Sequence, residues 1–276
     1  MPDSSPDQVL EAAAAGGGPS FETLTVFYPM WNEELTINRA VDAAIEACEG
    51  LRRDGEIGDY EILIVDDAST DGTGKLADEL ADADRHVRVV HHAVNRKLGG
   101  SLKTGLAEAR GSVVLYTDAD LPFDLAELRK AVRLLRLYDA DIVSAYRFDR
   151  IGEGPRRLVY SYVYNLLVRS AFKLRVRDVN FAFKLVRAEV LDHVDLVSEG
   201  SFIDAELLAR AVRKGYTVVQ FGVDYFPRTR GVSTLSSWPV IVKIVRELRR
   251  LAPDIRSEQP LPAEERRCRM PERRFG

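Results

Sequence analysis

The run Val113-Val114-Leu115-Tyr116-Thr117-Asp118-Ala119-Asp120 constrains this chain more than any other stretch. Its β-branched and aromatic residues spell a short buried strand, and the strand ends in two carboxylates one residue apart. Strand alternation turns Asp118 and Asp120 to the same side, where their charges repel unless a cation sits between them. Oxygen donors of this kind suit Mg2+ or Mn2+, and Mg2+ takes one or two protein carboxylates together with substrate phosphates. A lone Asp-x-Asp is more often a solvated loop. Here the strand in front of it and a second acidic cluster upstream favour a metal-held diphosphate.

That second cluster follows Glu61-Ile62-Leu63-Ile64-Val65, another near-continuous apolar run, and reads Asp66-Asp67-Ala68-Ser69-Thr70-Asp71-Gly72-Thr73. Its carboxylates and hydroxyls offer acceptors to a base edge or to ribose hydroxyls, with Asp66 favoured over Asp67. Either aspartate could instead cap the helix that follows. Upstream, Leu24-Thr25-Val26-Phe27-Tyr28-Pro29 leads into Trp31-Asn32-Glu33-Glu34. Three strands thus carry polar clusters at their carboxyl ends, where open α/β sheets bind ligands. Strand-like runs near 24–29, 61–65, 87–91, 113–117 and 141–145 alternate with helical patterns near 33–52, 73–83, 100–110 and 124–138. The expected fold is α/β, a single doubly wound, mostly parallel sheet covered by helices. Beyond Tyr146 come a helix over 155–174, a strand over 181–185, a helix from Asp204 to Lys214 and a strand over 216–221, forming an acceptor-side subregion.

The chain is long enough for one large core, its 46% hydrophobic content is ordinary, and its net charge of −4 gives no pull toward nucleic acid. No run approaches the roughly 18 apolar residues of a spanning helix. Residues 1–20 lack the basic start and apolar core of a signal peptide and read as a flexible extension. Cys48 and Cys268 form neither a disulfide framework nor a zinc site, which fits a reducing cytoplasm. The four histidines, His86, His91, His92 and His193, show no ligand spacing and receive no role. Tyr160, Tyr162 and Tyr164 read as packing residues, and no GxGxxG follows the first strand, which disfavours a dehydrogenase. One domain is expected over 21–236, an amphipathic helix over 237–252 and a disordered tail over 253–276. The helix is either an ordinary packing element or, through Lys243, Arg246, Arg249 and Arg250, a membrane-surface element.

The chain resembles family 2 glycosyltransferases of the GT-A fold, a single Rossmann-like domain, and in particular the dolichyl-phosphate mannose synthases and related polyprenyl-phosphate enzymes. The resemblance spans about residues 23–235 and rests on motifs that follow one another in the family order. These are Tyr28 to Glu34, Asp66 to Thr73, Asn95 to Gly105, Asp118-Ala119-Asp120, Phe202 to Glu206 and Arg228 to Ser233. It implies transfer of a sugar from a nucleotide diphosphate donor with inversion at the anomeric carbon. By that resemblance Pro29, Asn32, Glu33 and Asp66 line the nucleotide pocket, with Lys97 also on the donor side. Asp118 and Asp120 hold the diphosphate and its Mg2+ or Mn2+, and Arg228, Arg230 and Ser233 close over the donor phosphates. Arg147, with Arg157 and Ser161 at the Arg-x-x-x-Ser spacing, corresponds to the residues that hold a polyprenyl phosphate. Asp204 is the implied base if the acceptor is an alcohol, although it could simply cap its helix.

Three positions depart from the family pattern. Lys97 stands where a glycine is frequent, Pro122 where some relatives place a glutamine near the metal, and Val179-Asn180-Phe181-Ala182-Phe183 replaces a Ser-Gly-Phe segment. Two other readings remain open: the same donor chemistry with a soluble small-molecule acceptor, and a sugar-nucleotide-binding protein without catalysis. The expected partners are a nucleotide-sugar donor and a polyprenyl-phosphate or small-molecule acceptor, with no nucleic acid. The expected location is the cytoplasm, peripheral at the inner face of the membrane or held there by a membrane-anchored partner.

Overall fold

A computed structural model describes residues 20–148, 155–226 and 238–267, except for the side chains of 155–158, 160 and 238–244. Seven strands form one sheet: β1 (Phe21–Met30), β2 (Ile57–Asp66), β3 (Val87–His91), β4 (Val113–Thr117), β5 (Ile142–Arg147), β6 (Phe183–Arg187) and β7 (Val218–Val223). Their order is β3-β2-β1-β4-β6-β5-β7. Every pair is parallel except those made by β6, which runs antiparallel to β4 and β5. The helices are α1 (Ile37–Arg53), α2 (Thr73–Ala83), α3 (Lys97–Glu108), α4 (Glu127–Leu137), α5 (Pro155–Phe172), α6 (Ala188–His193), α7 (Ile203–Arg213), α8 (Trp238–Ser257) and α9 (Ala263–Arg266).

The central strands are apolar on both faces because both are covered. Val26, Tyr28, Ile62, Ile64 and Leu115 pack on one side with Val41 and Ala44 of α1 and Leu128 of α4. Phe27, Leu63, Val65, Val114 and Tyr116 pack on the other side with Leu102 and Leu106 of α3 and Leu207 and Leu208 of α7. Helix α3 lies close to the sheet: a Cβ on Gly105 would come within 2.0 Å of the Phe27 ring.

Register places the site. Met30 pairs with Asp66 and Asp66 with His91, so the carboxyl ends of β1, β2 and β3 finish level. Thr117, the last residue of β4, pairs with Phe183, the first of β6. An antiparallel strand presents its amino end at that edge, so the loop 174–182 joins the parallel strands' carboxyl ends there.

Structure corrects the expected tail. Helix α8 continues past residue 252 to Ser257, with Pro253 inside it. Leu251, Ala252 and Ile255 enter the second core, and Leu248 packs at its margin. The Arg210 guanidinium donates to Glu206 (2.9 Å) and Asp254 (2.7 Å) and also meets Glu258. Beyond the helix, Leu261 N–H donates to Lys214 O (3.0 Å). Composition suggested disorder, but a few apolar residues at the right positions and one buried arginine dock residues 253–267. Ile255→Ala is expected to cost about 2–4 kcal/mol in urea unfolding, whereas a disordered tail would register no change.

Candidate active site

The level strand ends enclose a cavity of about 840 Å3. Its wall takes Pro29, Met30, Trp31 and Glu33 from the end of β1, Asp67, Ala68 and Thr70 after β2, and Asn95, Lys97, Leu98 and Ser101 around the start of α3. Asp118, Asp120 and Pro122 follow β4, Arg147 ends β5, Ser161, Val163, Tyr164 and Leu167 come from α5, and Asn180, Phe181 and Ala182 precede β6. Of the residues singled out from sequence, Pro29, Glu33, Lys97, Asp118, Asp120, Arg147 and Ser161 meet in this wall. Asn32, Asp66 and Asp204 are not part of it. Arg157 falls in the first turn of α5 with its side chain outside the described residues, and Arg228, Arg230 and Ser233 lie outside them altogether.

Asn32 ties two loops together instead. Its N–H donates to Ser69 Oγ (3.0 Å), and its Oδ1 accepts from Thr70 N–H (2.8 Å). Asp66 accepts from Ser69 N–H (3.0 Å) and faces His91 Nδ1 (2.9 Å). Asp67, the wall carboxylate, accepts from Arg96 N–H (2.7 Å) and faces His92 Nδ1 (2.6 Å), while His92 Nε2 reaches Thr104 Oγ1 (2.9 Å). Helix capping falls to neither aspartate: Asp71 accepts from Thr73 N–H (3.0 Å). Sequence reasoning passed over both histidines. The signal was present as two adjacent aspartates ending β2 and two adjacent histidines ending β3, joined by parallel register. His91 also reaches Asp78 (3.0 Å), and the carboxylates of Asp78 and then Asp66 raise its pKa.

On the far side, Arg147 is fixed before any substrate arrives. Its Nε and Nη2 donate to the two oxygens of buried Asp178 (2.8 and 3.2 Å), and its guanidinium lies near the Phe181 and Tyr225 rings. Asn165 accepts from Val179 N–H (2.9 Å) and donates to Ser161 O (2.8 Å), which joins that loop to α5. Asp204 is buried with Lys184, whose Nζ donates to it (2.5 Å) and to Phe181 O (2.9 Å). Burial pushes the Asp204 carboxyl up, opposed by the Lys184 charge. Of the tyrosines read as packing residues, Tyr164 is buried, Tyr160's side chain is not described, and Tyr162 is 69% exposed, a correction taken up below.

Asp118 and Asp120 are half-buried in one wall, separated by buried Ala119. Among the described residues no cluster of three or more His, Cys, Asp or Glu side chains could hold a metal. Two carboxylates with open space beside them fit a hard divalent cation that completes its shell with substrate oxygens.

The family's glycine preference at position 97 has a local cause: Lys97 opens α3 with φ of 61°. Lys97→Gly is expected to raise stability in urea unfolding by about 1 kcal/mol by relieving that conformation. His91 gives a pH test. A pKa raised by folding adds stability on the acid side, which is lost as pH rises through the folded value. His91→Gln should therefore lower the urea midpoint at about pH 6 and leave it nearly unchanged at about pH 8.5.

Residues 25–195 match Glycosyl transferase family 2. The chain is 33% identical over 229 residues to Glycosyltransferase AglD of Haloferax volcanii, covering 81% of this chain but 36% of that protein. It therefore spans about a third of that relative. It is also 33% identical over 232 residues to a polyprenol monophosphomannose synthase of Mycolicibacterium smegmatis, covering 79% of this chain and 82% of that one. Among solved structures, glucosyl-3-phosphoglycerate synthase of Mycobacterium tuberculosis, with Mn2+, UDP-glucose and phosphoglyceric acid, superposes with a TM-score of 0.65 at 21% identity. That alignment covers 92% of this chain and 85% of that one, and it establishes a common GT-A fold. The strand-end aspartates, the cavity they enclose and these matches together make the chain a member of glycosyl transferase family 2.

Proposed function

We propose that this protein moves a sugar, with inversion, from a UDP- or GDP-linked donor to a polyprenyl phosphate at the inner face of a membrane. The observation that carries the reading is one cavity with Asp118 and Asp120 after β4 and an oriented arginine, Arg147, ending β5. Asp118 and Asp120 would hold Mg2+ or Mn2+ beside the donor diphosphate, a cation that when bound would offset the charge on the leaving nucleotide. Lys97 adds positive charge on the donor side, with Asp67 and Glu33 as acceptors for the nucleoside. Arg147 and Ser161, joined by Arg157, hold the acceptor phosphate, whose oxygen attacks the anomeric carbon. The Mycolicibacterium relative, named as a polyprenol monophosphomannose synthase, supports this acceptor.

Asp204 supports it as well. An alcohol acceptor needs a base within hydrogen-bond reach, whereas an ionised phosphate needs none. Asp204 is held by Lys184 and is absent from the wall. The assay is transfer from UDP- and GDP-sugars to farnesyl phosphate or to a small phosphorylated alcohol, with Mg2+, Mn2+ or EDTA. Metal-dependent product on farnesyl phosphate is expected, with Asp120→Asn reducing kcat about 10²–10³-fold and Arg147→Ala raising the acceptor KM. Product on the phosphorylated alcohol alone would replace the lipid acceptor with a soluble one.

A further inference from the structure

Packing decides which apolar helix faces stay exposed. Helix α8, the sequence's candidate for a membrane surface, spends its apolar residues Leu248, Leu251 and Ile255 on the core. Helix α5 does the opposite. Val159, Tyr162, Val163, Leu166 and Leu167 recur at the spacing of one helical face and are 40–69% exposed. Such a contiguous apolar stripe on a surface marks a docking site.

Its surroundings say what docks there. Residues 155–177 contain six Lys or Arg and no Asp or Glu, in a chain whose net charge is −4. Four of the six, Arg169, Lys173, Arg175 and Arg177, are exposed and follow the stripe directly. On α8, Arg246, Arg249 and Arg250 are exposed too. An apolar face bordered by cations fits the headgroup region of an anionic bilayer, not the interior of one. No described helix is long and apolar enough to cross a membrane. The stripe is also continuous with the cavity, since Val163 and Leu167 belong to its wall beside Ser161.

We infer that the exposed face of α5 and the cations after it dock the protein on an anionic lipid bilayer, with the cavity opening at that surface. The inference deepens the lipid-acceptor reading but is tested without it. The full chain is mixed with vesicles of phosphatidylcholine, with or without roughly a quarter phosphatidylglycerol, and no polyprenyl phosphate, then sedimented. Binding to the anionic vesicles is expected to exceed binding to the neutral ones by at least about tenfold and to fall with salt. The pair Tyr162→Ser with Leu166→Ser, and separately Arg169→Gln with Arg175→Gln, should each weaken it about tenfold or more. Both variants should retain transfer to farnesyl phosphate in solution. Absence of binding to anionic vesicles, or binding indifferent to Tyr162→Ser with Leu166→Ser, overturns the inference. So does a solution dimer that this pair dissociates, since a second copy would then cover the stripe. Failed transfer with intact vesicle binding removes the acceptor reading alone.

Discussion

Negative charge crowded at one edge of the sheet is the constraint to which much of this structure responds. Asp66, Asp67, Asp118 and Asp120 sit at the ends of β2 and β4, with Asp178 and Asp204 nearby on the β6 side. Left alone in a poorly solvated region, such groups would repel or take up protons. A basic side chain on a neighbouring element faces four of them: His91 for Asp66, His92 for Asp67, Arg147 for Asp178 and Lys184 for Asp204. Asp118 and Asp120 stand in the wall itself, where the proposed divalent cation meets their charge. The buried pairs come at a desolvation cost that their geometry must offset, and removal of one partner is typically worth about 3–5 kcal/mol. Their value here is positional: Asp66–His91 joins the ends of β2 and β3, Asp67–His92 the residues just after them, Arg147–Asp178 the end of β5 to the loop before β6, and Lys184–Asp204 strand β6 to α7.

Strain is gathered at the same edge. Among the described residues, six non-glycine residues adopt left-handed φ, and four of them, Asn32, Ala68, Lys97 and Leu121, lie here with φ between 48° and 61°, while Asp139 and Lys173 lie elsewhere. Each of the four follows the carboxyl end of one of β1 to β4, Lys97 as the first residue of α3, and Ala68 and Lys97 are wall residues. Each such conformation costs on the order of 1 kcal/mol and persists because surrounding bonds fix it. At Asn32 those bonds are visible, since its backbone and side chain both engage the loop after β2. A rigid parallel sheet thus supports loops that would not hold these shapes alone.

The same physics explains what could be read in advance. Strands buried on both faces become near-continuous apolar runs, so β1, β2 and β4 and the carboxylates at their ends were legible, and so was the alternation that gives a doubly wound sheet. The antiparallel sense of β6 was not, because a five-residue strand reads alike in either direction. His91 and His92 were passed over for a related reason: their partners lie across a parallel register rather than at a helical or hairpin spacing. The tail misled in the opposite way. Its prolines and charges suggested disorder, but Ile255 and the acidic side chains that meet Arg210 act through position, to which composition is blind.

Chemistry narrows what the cavity needs. For an alcohol acceptor the decisive group is a base that is accessible and has a suitable pKa, and Asp204 fails on access: it is buried, raised by burial and bound to Lys184. For a phosphate acceptor the proton is already gone, and the task becomes holding an anion beside another anionic substrate. Two phosphates in one cavity repel, so cationic side chains must be fixed in advance rather than recruited. Arg147 meets that requirement. Asp178 holds one edge of its guanidinium through two hydrogen bonds, and the aromatic rings of Phe181 and Tyr225 limit its swing. The segment that departs from the family pattern, Val179 to Phe183, runs directly from Asp178 into β6 and supplies one of those rings. Substitution there therefore acts on the orientation of the arginine, and through it on the phosphate site proposed for the acceptor.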